Sequence, residues 1–138
     1  MKIYSEFMPL QSTKTREAIN INSRLKAAVE KSTFREGIAI VSSLHSDCAI
    51  VLLQDNPAIL DQLDRTLDRL APPDDDPVLA SPEQNRNPLA HVHGALLGQR
   101  VVVPFSEARL DLGPREAVFF VELDGVRPRR LIVKILGE

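Results

Sequence analysis

Apolar and polar residues alternate along KIYSEFMPLQ, with Ile3 and Phe7 on one side and Tyr4 and Met8 on the other. A period of two predicts a strand over residues 2–11. The period lengthens in INSRLKAAVEKS, where Leu25, Ala28 and Val29 recur at helical spacing and Asn22 or Ser23 supplies the cap. Gly37 then opens GIAIVSSLHSDCAIVLL. Its β-branched content predicts two strands packed on both faces, with a turn near Ser42–Ser43. Asn56 and Pro57 are a good N-cap and first helical residue. The helix they start carries Ile59, Leu60, Leu63, Leu67 and Leu70 in one stripe, with Asp61, Asp64 and Asp68 toward water.

Residues 71–87, APPDDDPVLASPEQNRN, have no period and read as a long surface loop. Periodicity returns in NPLAHVHGALLG, where Leu89, Val92 and Leu96 sit at helical spacing. Asn87 caps, Pro88 starts and Gly98 ends a short helix over residues 88–97. RVVVPF, ARLDL, AVFFVEL and RRLIVKIL follow as four strands, separated by turn signals at Ser106, Gly113–Pro114 and Asp124–Gly125. The order predicts one α+β domain over residues 1–138. It is a compact, largely antiparallel β-sheet system with two longer helices and one short helix, the helices on one side.

Composition narrows the role. The chain has 138 residues, 43% hydrophobic and 26% charged, enough to bury a core and stay soluble. A net charge of −2 argues against a general nucleic-acid or membrane-surface binder. The one cysteine, Cys48, excludes an intrachain disulfide and a four-cysteine zinc site. No apolar run approaches a membrane span, and the first residues alternate instead of forming a signal-peptide block. The expected location is cytoplasmic.

The chemistry rests on few residues. His91 and His93 are one residue apart, but on a helix positions i and i+2 point about 200° apart. They therefore do not share a metal, and His93 reads as a surface or packing residue. His45 and Asp47 would share a face on a strand, where the carboxylate could fix the imidazole tautomer and raise its pKa. The pair fits an orienting dyad or a structural hydrogen bond. Cys48 points the other way and reads as a small buried residue. Arg127, Arg129 and Arg130 cluster after a turn, suited to phosphate or carboxylate or to a plain polar surface.

Taken together, these segments resemble the YjbQ family, the secondary thiamine-phosphate synthases. The family's His-Thr-Thr or His-Thr-Ser segment after a strand corresponds to His45–Ser46. Its acidic helix ending near a proline corresponds to LDRLAP. Ala90–His91 precedes Leu97–Gly98 at the family spacing, VVVPF matches its VVVPV strand, and ELDGVRPRR matches Glu-x-Asp-Gly-Pro-Arg with further arginines. The departures are specific. Asp47 replaces Thr or Ser, Leu53–Gln54 replaces Asn-Glu, and Gln62 takes an acidic position beside Asp61. Ala108 replaces Gly, and Arg115–Glu116 replaces Trp-Gln.

The resemblance implies a homotrimer with a polar site at which a small phosphorylated molecule binds. It implies weak formation of thiamine phosphate from a pyrimidine pyrophosphate and a thiazole phosphate. His45 and His91 would be the acid–base pair, with Ser46, Arg129 and Arg130 on the substrate and Asp47 returning the missing carboxylate. Mg²⁺ would accompany the pyrophosphate. Two other expectations come from different classes: a non-catalytic trimeric binding or assembly protein, and a metal-binding protein using His45 and His91.

Overall fold

In a computed structural model the described residues are 1–73 and 87–138. The expected loop over residues 71–87 therefore lies largely outside the described residues. The chain runs β1 (Lys2–Gln11), β2 (Glu17–Asn20), α1 (Asn22–Ser32), β3 (Gly37–Ser43), β4 (Cys48–Gln54) and α2 (Pro57–Leu70). It continues through α3 (Pro88–Leu97), β5 (Arg100–Ser106), β6 (Arg109–Leu110), β7 (Glu116–Glu122) and β8 (Pro128–Gly137). A five-stranded sheet has the order β1-β8-β3-β5-β6 and a three-stranded sheet the order β2-β7-β4. The pairings are antiparallel. The α+β reading holds.

The two sheets share the main core. Met8, Val41, Val103, Leu131, Val133 and Ile135 come from the larger sheet, Ile50, Val118 and Phe120 from the smaller, and Leu25, Ala28 and Val29 from α1. The other face of the smaller sheet presents Ala49, Phe119 and Val121 to Leu67 of α2 and Ala90 of α3. A sheet covered on both faces explains why CAIVLL and AVFFVE read as nearly continuous apolar runs. Each large side chain so buried contributes about 1.5–3 kcal/mol. The expectation of helices on one side is corrected here. The smaller sheet is apolar on both faces, so one packs against α1 and the larger sheet and the other against α2 and α3.

Local chemistry explains what the pattern caught and what it missed. Asn56 Oδ1 accepts from the Ala58 N–H at 2.9 Å, and Asn87 Oδ1 accepts from the Ala90 N–H at 3.3 Å. Each cap is followed by proline, as expected. At α1 the residue before the helix is Ile21, with no side-chain cap. Asn22 instead accepts from the Val118 N–H at 2.8 Å, tying the helix start to β7. β2 escaped prediction because four residues are too few to show a period. Ser42 and Ser43 are still paired in β3, and the turn falls at residues 44–47. Ser43 Oγ accepts from the His45 N–H at 3.0 Å, so the serine starts the turn without occupying it.

Candidate functional site

The β3–β4 turn carries His45, Ser46 and Asp47. His45 is half-buried, and its Nε2 accepts from the Arg130 backbone N–H at 3.1 Å. A neutral imidazole has one N–H, so that proton sits on Nδ1. Burial lowers the His45 pKa and the charge of Arg129 lowers it further, against the opposing pull of Asp47 and Glu122. The expected His45–Asp47 strand pair with a raised imidazole pKa is therefore corrected. The two residues lie in a turn, and the net shift is downward.

Asp47 is buried and turns its carboxylate inward. Its Oδ1 accepts from Arg129 Nη1 at 2.9 Å and its Oδ2 from Arg127 Nη1 at 3.2 Å. Arg129 also forms a forked pair with Glu122, Nε to Oε1 at 2.8 Å and Nη2 to Oε2 at 2.6 Å. Arg127 Nη2 reaches Asp124 Oδ2 at 2.7 Å. Burial alone would raise the carboxyls of Asp47 and Glu122. Hydrogen bonds from Arg129 outweigh it and hold both below the ordinary range. Arg129, against its own desolvation, is pushed up by Glu122 and Asp47. This network lies beneath the turn and is a support for it.

The other histidine approaches from α3. Ser46 Oγ and His91 Nδ1 are 2.8 Å apart. The approach depends on Gly94, one turn along the helix, because a Cβ there would lie 2.7 Å from the Ser46 carbonyl oxygen and 3.0 Å from that of Cys48. His45 and His91 are thus linked through Ser46 on one turn. His93 leaves the helix in another direction, as the 200° argument requires. It is buried, with Nε2 donating to the Ala71 carbonyl at 2.8 Å. Its Nδ1 then accepts from Arg16 Nη2 at 3.0 Å. Arg16 also holds Asp64 at 2.8 Å and Asp68 at 2.9 Å. Those aspartates, expected to be only solvated, help fasten α2 to the segment before β2 and, through Arg16 and His93, to α3.

The arginine cluster splits by strand parity. Arg129 lies on the buried face of β8 and Arg130 on the exposed one. The Arg130 guanidinium sits 4.2 Å from the centroid of Phe7 on β1, a cation–π contact that holds the side chain across the strand pair. Cys48 is buried and its thiol pKa is pushed up, first by burial and then by Glu122, which keeps it inert as a nucleophile. The polar network under the turn, with Glu122 and Asp124 at its centre, went unpredicted. Its available signal was parity, since Arg129 alternates with Leu131, Val133 and Ile135 on a core-facing strand.

Among the described residues no cluster of three or more His, Cys, Asp or Glu could hold a metal ion. The carboxylates nearest the turn are engaged by arginines, so the residues do not fit a resident cation. No helix among the described residues is long and apolar enough to cross a membrane. A cavity of about 430 Å³, lined in part by Lys14, Arg16, Leu60, Leu63 and Val121, lies between α2 and the smaller sheet, apart from the turn.

Comparison with known proteins agrees with this fold. A UPF0047 protein of Methanothermobacter thermautotrophicus is 33% identical over all of this chain and 95% of its own length. YugU of Bacillus subtilis, another UPF0047 protein, is 24% identical over 94% of this chain and 97% of its own. The crystal structure of a YbjQ-like protein of unknown function from Sulfolobus solfataricus P2 superposes with a TM-score of 0.91. It shares 28% identity, over 99% of each chain. A sequence model described as UPF0047 protein YjbQ-like matches residues 6–138. With the fold and nearly the whole length in agreement, the chain belongs to the YjbQ-like UPF0047 family.

Proposed function

We propose that the protein binds a small phosphorylated molecule at the His45–Ser46 turn and forms thiamine phosphate weakly from a pyrimidine pyrophosphate and a thiazole phosphate. The observation that carries this reading is the convergence at one turn of His45, whose Nε2 is engaged by Arg130 N–H, and Ser46, hydrogen-bonded to His91. His45 Nδ1–H would donate to a phosphate oxygen, and His91 would move the proton. Arg130 would supply positive charge. Such a site works mainly by orienting two reactants and stabilising the leaving pyrophosphate. Mg²⁺ would arrive with that substrate. Asp47 and Arg129 serve the reaction by holding the turn, since their charges balance one another beneath it.

The protein would work in the cytoplasm as a homotrimer. The outer face of the larger sheet supports assembly: Ile3, Leu136, Ile38 and Pro104 are paired across four strands, with Phe7 and Val102 half-exposed nearby. Sedimentation equilibrium should return three chain masses, and Val102→Asp should lower that value.

The deciding experiment incubates purified protein with both phosphates and follows thiamine phosphate. Product from the native protein that disappears in His45→Ala and His91→Ala supports the enzyme. Equal background in all three sinks it. That outcome would favour the second reading, a non-catalytic binding or assembly protein. Leu53–Gln54 supports this second reading, because the carboxylate lost there is not returned by Asp47, which faces two arginines.

A further inference from the structure

We propose that Ser46 is a nucleophile activated by His91, and that it takes a phosphoryl group from a small phosphate ester or anhydride into a transient phosphoserine. An unassisted serine hydroxyl is a poor nucleophile, and a base within hydrogen-bond reach is what activates it. Ser46 Oγ and His91 Nδ1 meet that condition at 2.8 Å.

The contact is built by packing. Residue 94 has no room for a Cβ between α3 and the carbonyl oxygens of Ser46 and Cys48, so glycine lets the helix close onto the turn. The neighbouring residue contributes a second function. His45 has its Nε2 occupied by Arg130 N–H, so its neutral ring offers Nδ1–H as a donor. A nucleophile and a donor for developing oxygen charge thus stand on consecutive residues. Charge selects the substrate class. Asp47, Glu122 and Asp124 are each held by Arg127 or Arg129, while Arg130 is exposed. An anionic phosphate nearing Ser46 meets a cation and two imidazoles.

The step balances without a further reagent. Ser46 Oγ attacks phosphorus and its proton passes to His91 Nδ1. The bond from phosphorus to the leaving oxygen breaks, and that oxygen takes the proton. Water then attacks the phosphoserine, giving a proton to Nδ1. The Oγ–P bond breaks, the proton returns to Oγ, and inorganic phosphate leaves. The inference shares the turn and its preference for phosphate with the reading above. Its chemistry is separate, because thiamine phosphate formation joins carbon to nitrogen and leaves Ser46 unmodified.

The test treats the full chain with a fluorophosphonate, which phosphonylates activated serines with loss of fluoride, followed by intact mass and peptide mapping. One adduct on Ser46 is expected, formed at least about tenfold faster than on other exposed serines. Ser46→Ala should take no adduct there, and His91→Gln should slow labelling by about tenfold or more while keeping the native unfolding midpoint. Labelling of Ser46 no faster than of the other serines overturns the proposal without recourse to any variant. So does an unchanged rate in a folded His91→Gln protein. Labelling without thiamine phosphate formation sinks the earlier reading alone; thiamine phosphate formation with Ser46 unreactive sinks this one alone.

Discussion

Arg129 and Glu122 face each other through two parallel hydrogen bonds of 2.8 and 2.6 Å, and their side chains are 2% and 0% exposed. Removing one member of such a pair leaves the other charge buried and uncompensated, which costs about 3–5 kcal/mol. Arg129→Met should therefore destabilise the protein by that amount in urea unfolding. Glu122→Gln combined with Arg129→Met should cost less than the sum of the two, because the double variant no longer strands the Glu122 charge, while Asp47 keeps Arg127. Additive losses would show that the pair is not coupled.

The same network sets the acid limit. Asp47 and Glu122 have folded pKa values below their ordinary range. Each contributes stability that is fully present above its unfolded pKa, about 4, and is lost as pH falls through the folded value. Unfolding free energy should thus drop steeply below about pH 4 in the native protein. In Arg129→Met that limb should be flatter. An identical acid limb in both proteins would mean that other carboxylates control it.

His45 shifts the other way in charge. Its folded pKa is below 6.5, so the native state favours the neutral ring. Stability linked to this residue is present above pH 6.5 and declines as pH falls from there toward the folded pKa. Long-range ¹⁵N–¹H spectra should show Nδ1 protonated and Nε2 bare at neutral pH, with a midpoint below 6.5. A protonated Nε2 would break the assignment of Arg130 N–H as its donor.

Much of this arrangement was legible in the chain, and what escaped has definite causes. Asn56–Pro57 and Asn87–Pro88 marked two helices because cap and first-turn chemistry are local. The 200° separation of His91 and His93 followed from helical geometry alone, and the structure sends one to Ser46 and the other to Arg16. The environment of Asp47 differs from the expected one because the turn falls at residues 44–47 and not at Ser42–Ser43, which changes its neighbours. Its partners Arg127 and Arg129 are 80 and 82 residues away, beyond any local pattern. The alternation of Arg129 with three core residues on β8 carried that information unused.

His93 is a separate test of packing. Its two ring nitrogens satisfy Arg16 and the Ala71 carbonyl, and the side chain is 1% exposed. His93→Leu would leave the buried side of both groups unpaired, at about 1–3 kcal/mol. Arg16→Ala loses pairs with half-exposed aspartates, each worth less than about 1 kcal/mol, and also the hydrogen bond to buried His93 Nδ1, at about 1–3 kcal/mol. Urea unfolding should therefore rank His93→Leu and Arg16→Ala both below Arg129→Met. The reverse order would place the main polar restraint of the fold at α2.

Gly94 connects packing to the candidate chemistry. A methyl group there would lie 2.7 Å from the Ser46 carbonyl oxygen, and because the obstacle is backbone, α3 must move. Overpacking of this kind costs about 1–3 kcal/mol. Helix propensity alone favours alanine over glycine by about 1 kcal/mol, so a net loss must come from the collision. Gly113, whose added Cβ would meet only Glu116 Cβ at 3.7 Å, provides the control. Gly94→Ala should lose stability, and the Ser46–His91 contact with it, while Gly113→Ala should stay within about 0.5 kcal/mol of the native protein. Neutral or stabilising behaviour of Gly94→Ala would show that the helix does not rest on the turn, and the approach of His91 to Ser46 would then lose its structural cause.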